Sequence, residues 1–176
     1  MTTKHIVVLP YDEGWKVGFR KIEAELRAAL GDLALCIEHV GSTSVPGLAA
    51  KPIIDIDVVI GDRAALGPVI DALQRIGYRH EGDLGIRDRE AFAYDEERKA
   101  HLPKHHLYVC PADSHELARH LRFRDRLRAD PEAAREYGRI KQEGAALYPY
   151  DIEKYLAHKA EFIERILAER PAARDG

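Results

Sequence analysis

Alternating apolar and polar positions predict a series of short strands in the first two thirds of the chain. The clearest is residues 53–60, an Ile- and Val-rich run that begins after a proline and ends at a glycine. Its residues Ile54, Ile56 and Val58 share one face, which we expect to be buried in an interior strand. Further strands are predicted at residues 5–9, 33–40 and 105–110, with weaker patterns at 78–81 and 91–94.

A spacing of three to four residues between apolar positions predicts the helices. The first begins near Asp12 and ends at Gly31, and we expect it to bury one face, formed by Val17, Ile22, Leu26 and Leu30. A second amphipathic helix is predicted over residues 63–76. The chain after Ser114, a predicted N-cap, has a helical pattern that restarts at Asp130-Pro131 and again at Pro149-Tyr150-Asp151. The pattern predicts one α/β (α+β) domain over residues 1–176, with a mostly N-terminal sheet.

Composition narrows the possible functions only slightly. The chain has 176 residues, 45% of them hydrophobic and 32% charged, with a net charge of −3. No block of like charge indicates a nucleic-acid or membrane surface, and no apolar run has membrane-spanning length, so we expect a cytoplasmic protein. Cys36 and Cys110 lie in apolar runs, which favours two buried reduced thiols over a disulfide, although a disulfide is possible.

Two acidic residues interrupt the clearest strand. Asp55 and Asp57 are two positions apart, so their carboxylates share a face and repel each other unless a cation lies between them. Carboxylate ligands suit a hard divalent cation such as Mg²⁺ or Mn²⁺, which completes its coordination with water and substrate phosphates. The alternative is that both aspartates lie on the solvated face of an edge strand.

A turn of small residues precedes this strand. Gly41 allows close approach of a ligand to the backbone, and the following Ser42, Thr43 and Ser44 offer hydroxyl and N–H groups to phosphate oxygens. Most turns of this kind only reverse the chain. The order of a strand, this turn, a short helix or loop, and then the strand with the two aspartates favours a phosphate site and a metal site on neighbouring elements.

These motifs resemble those of a known superfamily. The order Gly41-Ser42, twelve residues, then Asp55-Ile56-Asp57 is similar to the signature of nucleotidyltransferases. More narrowly, HVGSTSVPGLAAKPIIDIDVVI resembles the GrpB family, which also occurs as the C-terminal domain of some dephospho-CoA kinases. The segments GIRDREAF, HHLYVCP and HLRFRDRLR extend the resemblance along the chain. It implies a nucleotidyltransferase-like mixed sheet with packed helices and a helical C-terminal half, and it implies catalytic roles for Asp55 and Asp57.

Nucleotidyltransferases usually have a third carboxylate on a later strand, but residues 105–110 contain no acid. The resemblance implies that His106 replaces it as a metal ligand, next to Tyr108. An imidazole beside two carboxylates suits Mn²⁺, Zn²⁺ or Fe²⁺ better than Mg²⁺. The alternative is that His106 is a surface residue at the end of a strand.

Five basic residues are candidates for phosphate binding, namely Lys51, Arg89, Arg124, Lys141 and Lys159. Each could instead be a solvated surface residue. Tyr137 precedes Lys141 by four residues, and Tyr155 precedes Lys159 by four, so each pair shares a helix face. The tyrosines could stack on a base, or they could pack against the methylene groups of the lysines.

Two functions remain open from the sequence. One is an enzyme that uses a divalent metal to transfer a nucleotidyl group from ATP or another nucleoside triphosphate to an unknown acceptor. The other is a non-catalytic module that binds a nucleotide or metal, or that assists the folding of a partner. The missing third acid favours the module, and the intact Gly-Ser and Asp-x-Asp motifs favour the enzyme.

Overall fold

The computed structural model describes residues 4–169, in which five strands form one mixed sheet. The strand order is β1-β2-β5-β4-β3. β2 runs antiparallel to β1 and parallel to β5, and β4 runs antiparallel to both β5 and β3. The strands are β1 (Cys36–Val40), β2 (Ile54–Ile60), β3 (Tyr78–Gly82), β4 (Glu90–Tyr94) and β5 (His105–Pro111). The strand with the two aspartates is therefore interior, as predicted.

Five helices complete the described part of the chain. They are α1 (Gly14–Leu30), α2 (Leu66–Arg75), α3 (His115–Ala129), α4 (Pro131–Leu147) and α5 (Ile152–Ala168). Ser114 caps α3 by accepting a hydrogen bond from the N–H of Leu117, at 3.2 Å, and Asp130 and Asp151 cap the next two helices in the same way. The mixed α/β fold with a helical C-terminal half is thus confirmed. No helix of residues 4–169 is both long enough and apolar enough to cross a membrane.

The two faces of the sheet differ in character. Ile54, Ile56 and Val58 point to one face, where they form the main core with α1, α2 and the apolar residues of β5. On the other face α3 packs over β1 and β5 through a small cluster around Cys110 and Leu117. α4 and α5 form a separate apolar cluster with α3 and the loop after residue 44. The aspartates of β2 point to this second face, toward the helical half.

The structure corrects several boundaries. Val17 is 54% exposed, because it lies five residues before Ile22 and so falls off the buried face, which instead includes Trp15 and Gly18. Residues 5–9 make only one bridge, between Leu9 and Ala50. Residues 33–35 are not in β1, since a 3₁₀ turn ends at residue 33. Both cysteines are free, with Cys110 buried and Cys36 only partly so.

Candidate functional site

The register of β2 and β5 brings the predicted metal ligands onto one face. Asp55 pairs with His106 and Asp57 with Tyr108 in the parallel ladder. Neighbouring residues of a ladder point the same way, so the four side chains form a polar patch on the face that α3 covers in part. The imidazole of His106 donates from Nδ1 to Oδ1 of Asp55, at 2.9 Å. The structure thus brings Asp55, Asp57 and His106 together, while their role in metal binding stays a prediction.

The turn before β2 fits closely around Asp55. Gly41 has φ of 71°, a conformation that favours glycine, and a Cβ atom at this position would overlap the Asp55 carboxylate. The hydroxyl of Ser44 donates to the Gly41 carbonyl oxygen at 2.5 Å, and that of Thr43 hydrogen bonds to His39 Nε2 at 2.8 Å. Thr43 and Ser44 are buried and stabilise the turn with these bonds. Ser42 alone of the three hydroxyl residues lines the cavity described below.

Asp57 is fully buried and has an unusual environment. Its Oδ2 accepts a hydrogen bond from His120 Nδ1 of α3, at 2.6 Å. Its Oδ1 has no hydrogen-bond partner within residues 4–169. Burial raises the pKa of Asp57. Burial disfavours the imidazolium of His120, but the hydrogen bond to Asp57 together with the negative charges of Asp57, Glu116 and Asp55 outweighs it, so the pKa of His120 is raised. The pair therefore binds a proton more tightly than an isolated carboxylate does.

His120 is a residue of the candidate site that sequence reasoning did not single out. Its Nε2 also lies 3.2 Å from Oε1 of Glu116, one helical turn earlier. The only signal was the spacing of Glu116 and His120 by four residues within a helix that was otherwise considered for its arginines. That spacing does not reveal that this face of α3 docks against β2, so the contact with Asp57 could not be found from the sequence.

Three of the five predicted basic residues converge on one cavity of about 200 Å³, which we name the lysine cavity. Its lining consists of Ser42, Lys51, Ile53, Asp55, His106, Lys141, Tyr155 and Lys159. The amine of Lys141 is buried and has no hydrogen-bond partner among the described residues. Asp55 is the one acidic residue of the lining, so the cavity has an excess of positive charge whenever its lysines are protonated.

Burial and mutual repulsion weaken proton binding by these lysines. Burial lowers the pKa of Lys141 to about 6, with further lowering by the charges of Lys159 and Lys51. Burial together with Lys51 lowers the pKa of Lys159 to about 8. The pKa of Lys51 is also lowered by burial. An anion in the cavity would favour the protonated form of all three.

Two tyrosines support the lysine amines. Lys51 and Lys159 lie over the ring of Tyr155, at 5.4 Å and 5.1 Å from its centroid, and Lys141 lies 4.6 Å from the centroid of Tyr137. Both rings are buried. Tyr137 is also stacked on Phe162. The rings therefore contact the ammonium groups of the lysines, and their burial leaves no face open for stacking on a base.

The two arginines lie outside the lysine cavity. Arg124 pairs with Oε2 of Glu38 at 2.6 Å and donates to the His39 carbonyl oxygen at 3.1 Å. Arg89 lies 4.3 Å from the centroid of Tyr108, and its buried Nε has no partner within residues 4–169. A ligand of the lysine cavity would have to extend past the polar patch to reach Arg89, and the binding role of both arginines stays a prediction.

The carboxylates of Asp55 and Asp57 suit a cation whose remaining ligands are water and substrate phosphates. Among residues 4–169 no group of three or more His, Cys, Asp or Glu side chains is arranged to hold a metal ion. The unpartnered Oδ1 of Asp57 is nevertheless a buried oxygen that a divalent cation would satisfy. Two carboxylates completed by substrate phosphates and water match the preference of Mg²⁺ and Mn²⁺.

We expect the lysine cavity to bind sulfate more tightly at pH 6 than at pH 8.5. Lowering the pH through the lowered pKa values of Lys159, about 8, and Lys141, about 6, adds positive charge, while sulfate keeps its charge throughout. One added charge a few ångströms away should strengthen binding roughly tenfold. Isothermal titration calorimetry at the two pH values measures the effect. A pH-independent affinity, or equal pH dependence in Lys159→Met, would contradict it.

The chain is similar to proteins from several bacteria. Residues 5–169 match the family described as GrpB protein. YqkA of Bacillus subtilis is 33% identical to the chain. The match covers 92% of the chain and 46% of the length of YqkA. A dephospho-CoA kinase of Mycolicibacterium paratuberculosis is 29% identical to the chain. That match covers 86% of the chain and 42% of the length of the enzyme. The chain thus covers less than half the length of these two relatives.

Solved structures show the same fold. The crystal structure of the conserved protein GrpB from Enterococcus faecalis has a TM-score of 0.80 and 35% identity, covering 91% of this chain and 94% of that one. The Cid1 poly(U) polymerase with Mg 3'-dATP bound has a TM-score of 0.51 and 14% identity. The match covers 78% of this chain and 42% of the Cid1 chain. The second likeness shows that the fold is shared with a nucleotidyltransferase. By its match over nearly all the described residues, the chain belongs to the GrpB family.

Proposed function

We propose that this protein binds ATP or another nucleoside triphosphate with Mg²⁺ or Mn²⁺ and transfers the nucleotidyl group to an acceptor hydroxyl. The observation that carries the proposal is that Asp55 lines the same cavity as Lys51, Lys141 and Lys159. A cavity with several cations and one carboxylate at its edge suits a phosphate chain that brings its own metal. A nucleotide substrate also agrees with the cytoplasmic location expected from the sequence.

The lysines would act on the leaving group. In the transfer, the acceptor oxygen forms a bond to the α-phosphorus, the bond from that phosphorus to the bridging oxygen breaks, and pyrophosphate leaves. The acceptor's hydroxyl proton goes to water. Protonated Lys141 and Lys159 would stabilise the negative charge that develops on pyrophosphate, and Ser42 would donate a hydrogen bond to a phosphate oxygen.

Asp55 and Asp57 would hold the divalent cation, which supplies electrostatic stabilisation of the phosphate oxygens. His120 fixes the orientation of the Asp57 carboxylate through its 2.6 Å bond and leaves the second oxygen available. His106 fixes Asp55 in the same manner, through the hydrogen bond from its Nδ1. These contacts reduce the reorganisation needed when metal and nucleotide bind.

A second candidate is a module that binds nucleotide without transfer. The strand β5 offers His106 and Tyr108 where a third carboxylate is usual in the superfamily. The match to 42% of a dephospho-CoA kinase also agrees with a supporting role next to another catalytic region. ATP binding is common to both candidates, so turnover separates them.

The test is to incubate the protein with ATP, Mn²⁺ and a pool of small hydroxylated metabolites and to measure pyrophosphate. We expect release by the wild type and a loss of at least a hundredfold in Asp57→Asn, since removal of one charge-stabilising group typically costs 10²–10³ in rate. Asp113→Asn is the control, because its carboxylate is exposed and 3.6 Å from Arg63, and should leave the rate unchanged.

Binding measurements distinguish the remaining outcomes. ATP with Mn²⁺ should raise the melting temperature of the wild type by binding the folded state, and less so that of Asp57→Asn. Binding without pyrophosphate release would support the module. No thermal shift with ATP and Mn²⁺ would overturn both candidates.

A further inference from the structure

A second cavity of about 330 Å³ adjoins the lysine cavity, and we name it the β4–β5 cavity. The two share Ile53 and His106, so the Asp55–His106 pair lies at their border. Its floor is formed by Ala91 and Ala93 of β4, and Ala91 lies opposite Tyr108 in the ladder. Alanines between larger neighbours leave the depression, whose size matches the small end of ligand pockets.

We propose that the β4–β5 cavity binds the acceptor, a small hydroxylated molecule that carries an apolar group and an ammonium group but no phosphate. This inference rests on the proposed transfer function. In nucleotidyl transfer the attacking and leaving oxygens are roughly in line on opposite sides of the phosphorus. With pyrophosphate among the lysines and the phosphorus at the carboxylates, the acceptor belongs on the other side of His106, which is where this cavity lies.

The lining determines the chemistry of the ligand. Leu84 at the rim, the two floor alanines and the ring of Tyr108 offer apolar surface to a hydrocarbon or aromatic group. The charged side chains at the rim are Glu81, Glu96 and Lys104, and Lys104 is 3.2 Å from Glu96. Within residues 4–169 Glu81 forms no salt bridge, so the rim has a net negative charge that attracts an ammonium group and repels phosphate.

The contrast with the lysine cavity makes the assignment specific. The lysine cavity holds three basic residues and one acid, and the β4–β5 cavity holds two acids and one paired lysine in addition to the shared His106. Opposite charges in adjoining cavities direct a phosphate chain to one and a cationic group to the other. A nucleotide bound in the reverse orientation would place its phosphates among carboxylates.

Two matched phenols test the charge preference. Tyramine and 3-(4-hydroxyphenyl)propanoate have the same phenol and the same two-carbon arm, but one ends in an ammonium and the other in a carboxylate. We expect tyramine to shift the amide signals of Leu84, Ala91 and Ala93 in ¹⁵N spectra of the full chain and to bind at least fivefold more tightly. Equal affinities, or unmoved signals at these residues, would overturn the proposal.

A rim variant and its control localise the binding. Leu84→Lys should weaken tyramine binding at least threefold, since it replaces apolar surface with a positive charge at a residue that is 61% exposed and therefore tolerant of change. Leu35→Lys makes the same substitution at a residue that is also 61% exposed but precedes β1, at the opposite end of the sheet, and should have no effect. Equal effects of the two variants would place tyramine elsewhere and overturn the proposal.

ATP titration separates failure of this inference from failure of the proposed function. If ATP with Mn²⁺ binds the wild type but tyramine leaves the cavity signals unmoved, the acceptor proposal is wrong and the nucleotide site stands. If tyramine binds but ATP does not, the acceptor role is overturned together with the proposed function. Binding of both ligands at once, with neither weakening the other by more than twofold, supports adjoining subsites.

Discussion

Replacing Lys141 with methionine should stabilise the protein and at the same time weaken its binding of anions. The side chain is 2% exposed and its amine has no hydrogen-bond partner among the described residues. Methionine has a similar length, preserves the packing on Tyr137 and needs no solvation. We expect the free energy of unfolding at pH 7 to rise by on the order of 2–4 kcal/mol, measured by urea denaturation.

The sign of this effect follows from proton binding. The pKa of Lys141 is about 6 in the folded protein, whereas a lysine in an unfolded chain has a pKa of about 10.4. Between these values the unfolded state binds more protons, so the wild type loses stability as the pH falls from about 10 to 6. The methionine variant does not share this loss, and its advantage should therefore be larger at pH 6 than at pH 9.

The same variant should bind ATP at least tenfold more weakly, because a protonated lysine near phosphate contributes a charge-assisted hydrogen bond. Lys21→Met is the matched control, because Lys21 is exposed on α1. It should change neither the free energy of unfolding nor the affinity for ATP. A Lys141→Met protein that is destabilised, with undiminished ATP affinity, would show that the lysine belongs to the structure and not to a binding site.

The second large effect is expected in the interior strand β2. Ile56 is 0% exposed and lies between β1 and β5, in contact with the core residues of α1 and α2. Truncation to alanine removes three carbon atoms from this environment and leaves a cavity. Ile56→Ala should lower the free energy of unfolding by about 2–5 kcal/mol, measured by urea denaturation.

Val17→Ala provides the comparison. The sequence pattern predicted this residue to be in the core, but it is 54% exposed, so its truncation should cost less than about 0.5 kcal/mol. Similar costs for the two substitutions would contradict the observed orientation of α1. A cost below about 0.5 kcal/mol for Ile56→Ala would contradict the placement of β2 in the interior of the sheet.

The strands with an unbroken pattern could be predicted because their burial is a local property of the sequence. The alternation at residues 53–60 is enough to assign Ile56 to the core and Asp55 and Asp57 to the other face. The first helix shows the limit of this reasoning. Helical spacing places position 18, and not Val17, one turn before Ile22, but Gly18 has no apolar side chain to indicate that Ile54 and Pro103 pack against it.

The site was predictable only as a set of residue types. Asp55, Ser42 and the lysines come together as expected, but nothing local shows that Thr43 and Ser44 use their hydroxyls within the turn. Arg124 and His120 lie one helical turn apart on α3, and only the docking of that helix decides that one meets Glu38 and the other meets Asp57. Such contacts depend on the packing of distant segments.

The walls of the lysine cavity come from two distant parts of the chain. Ser42 and Lys51 precede β2, whereas Lys141 and Lys159 belong to the hairpin formed by α4 and α5. When protonated, these amines repel one another and oppose the closing of the hairpin on the sheet, and an anion bound between them would turn that repulsion into attraction. Local opening of the hairpin would then cost more free energy as the anion concentration rises. We therefore expect added anion to slow the exchange of the amide hydrogens of α4 and α5 with solvent.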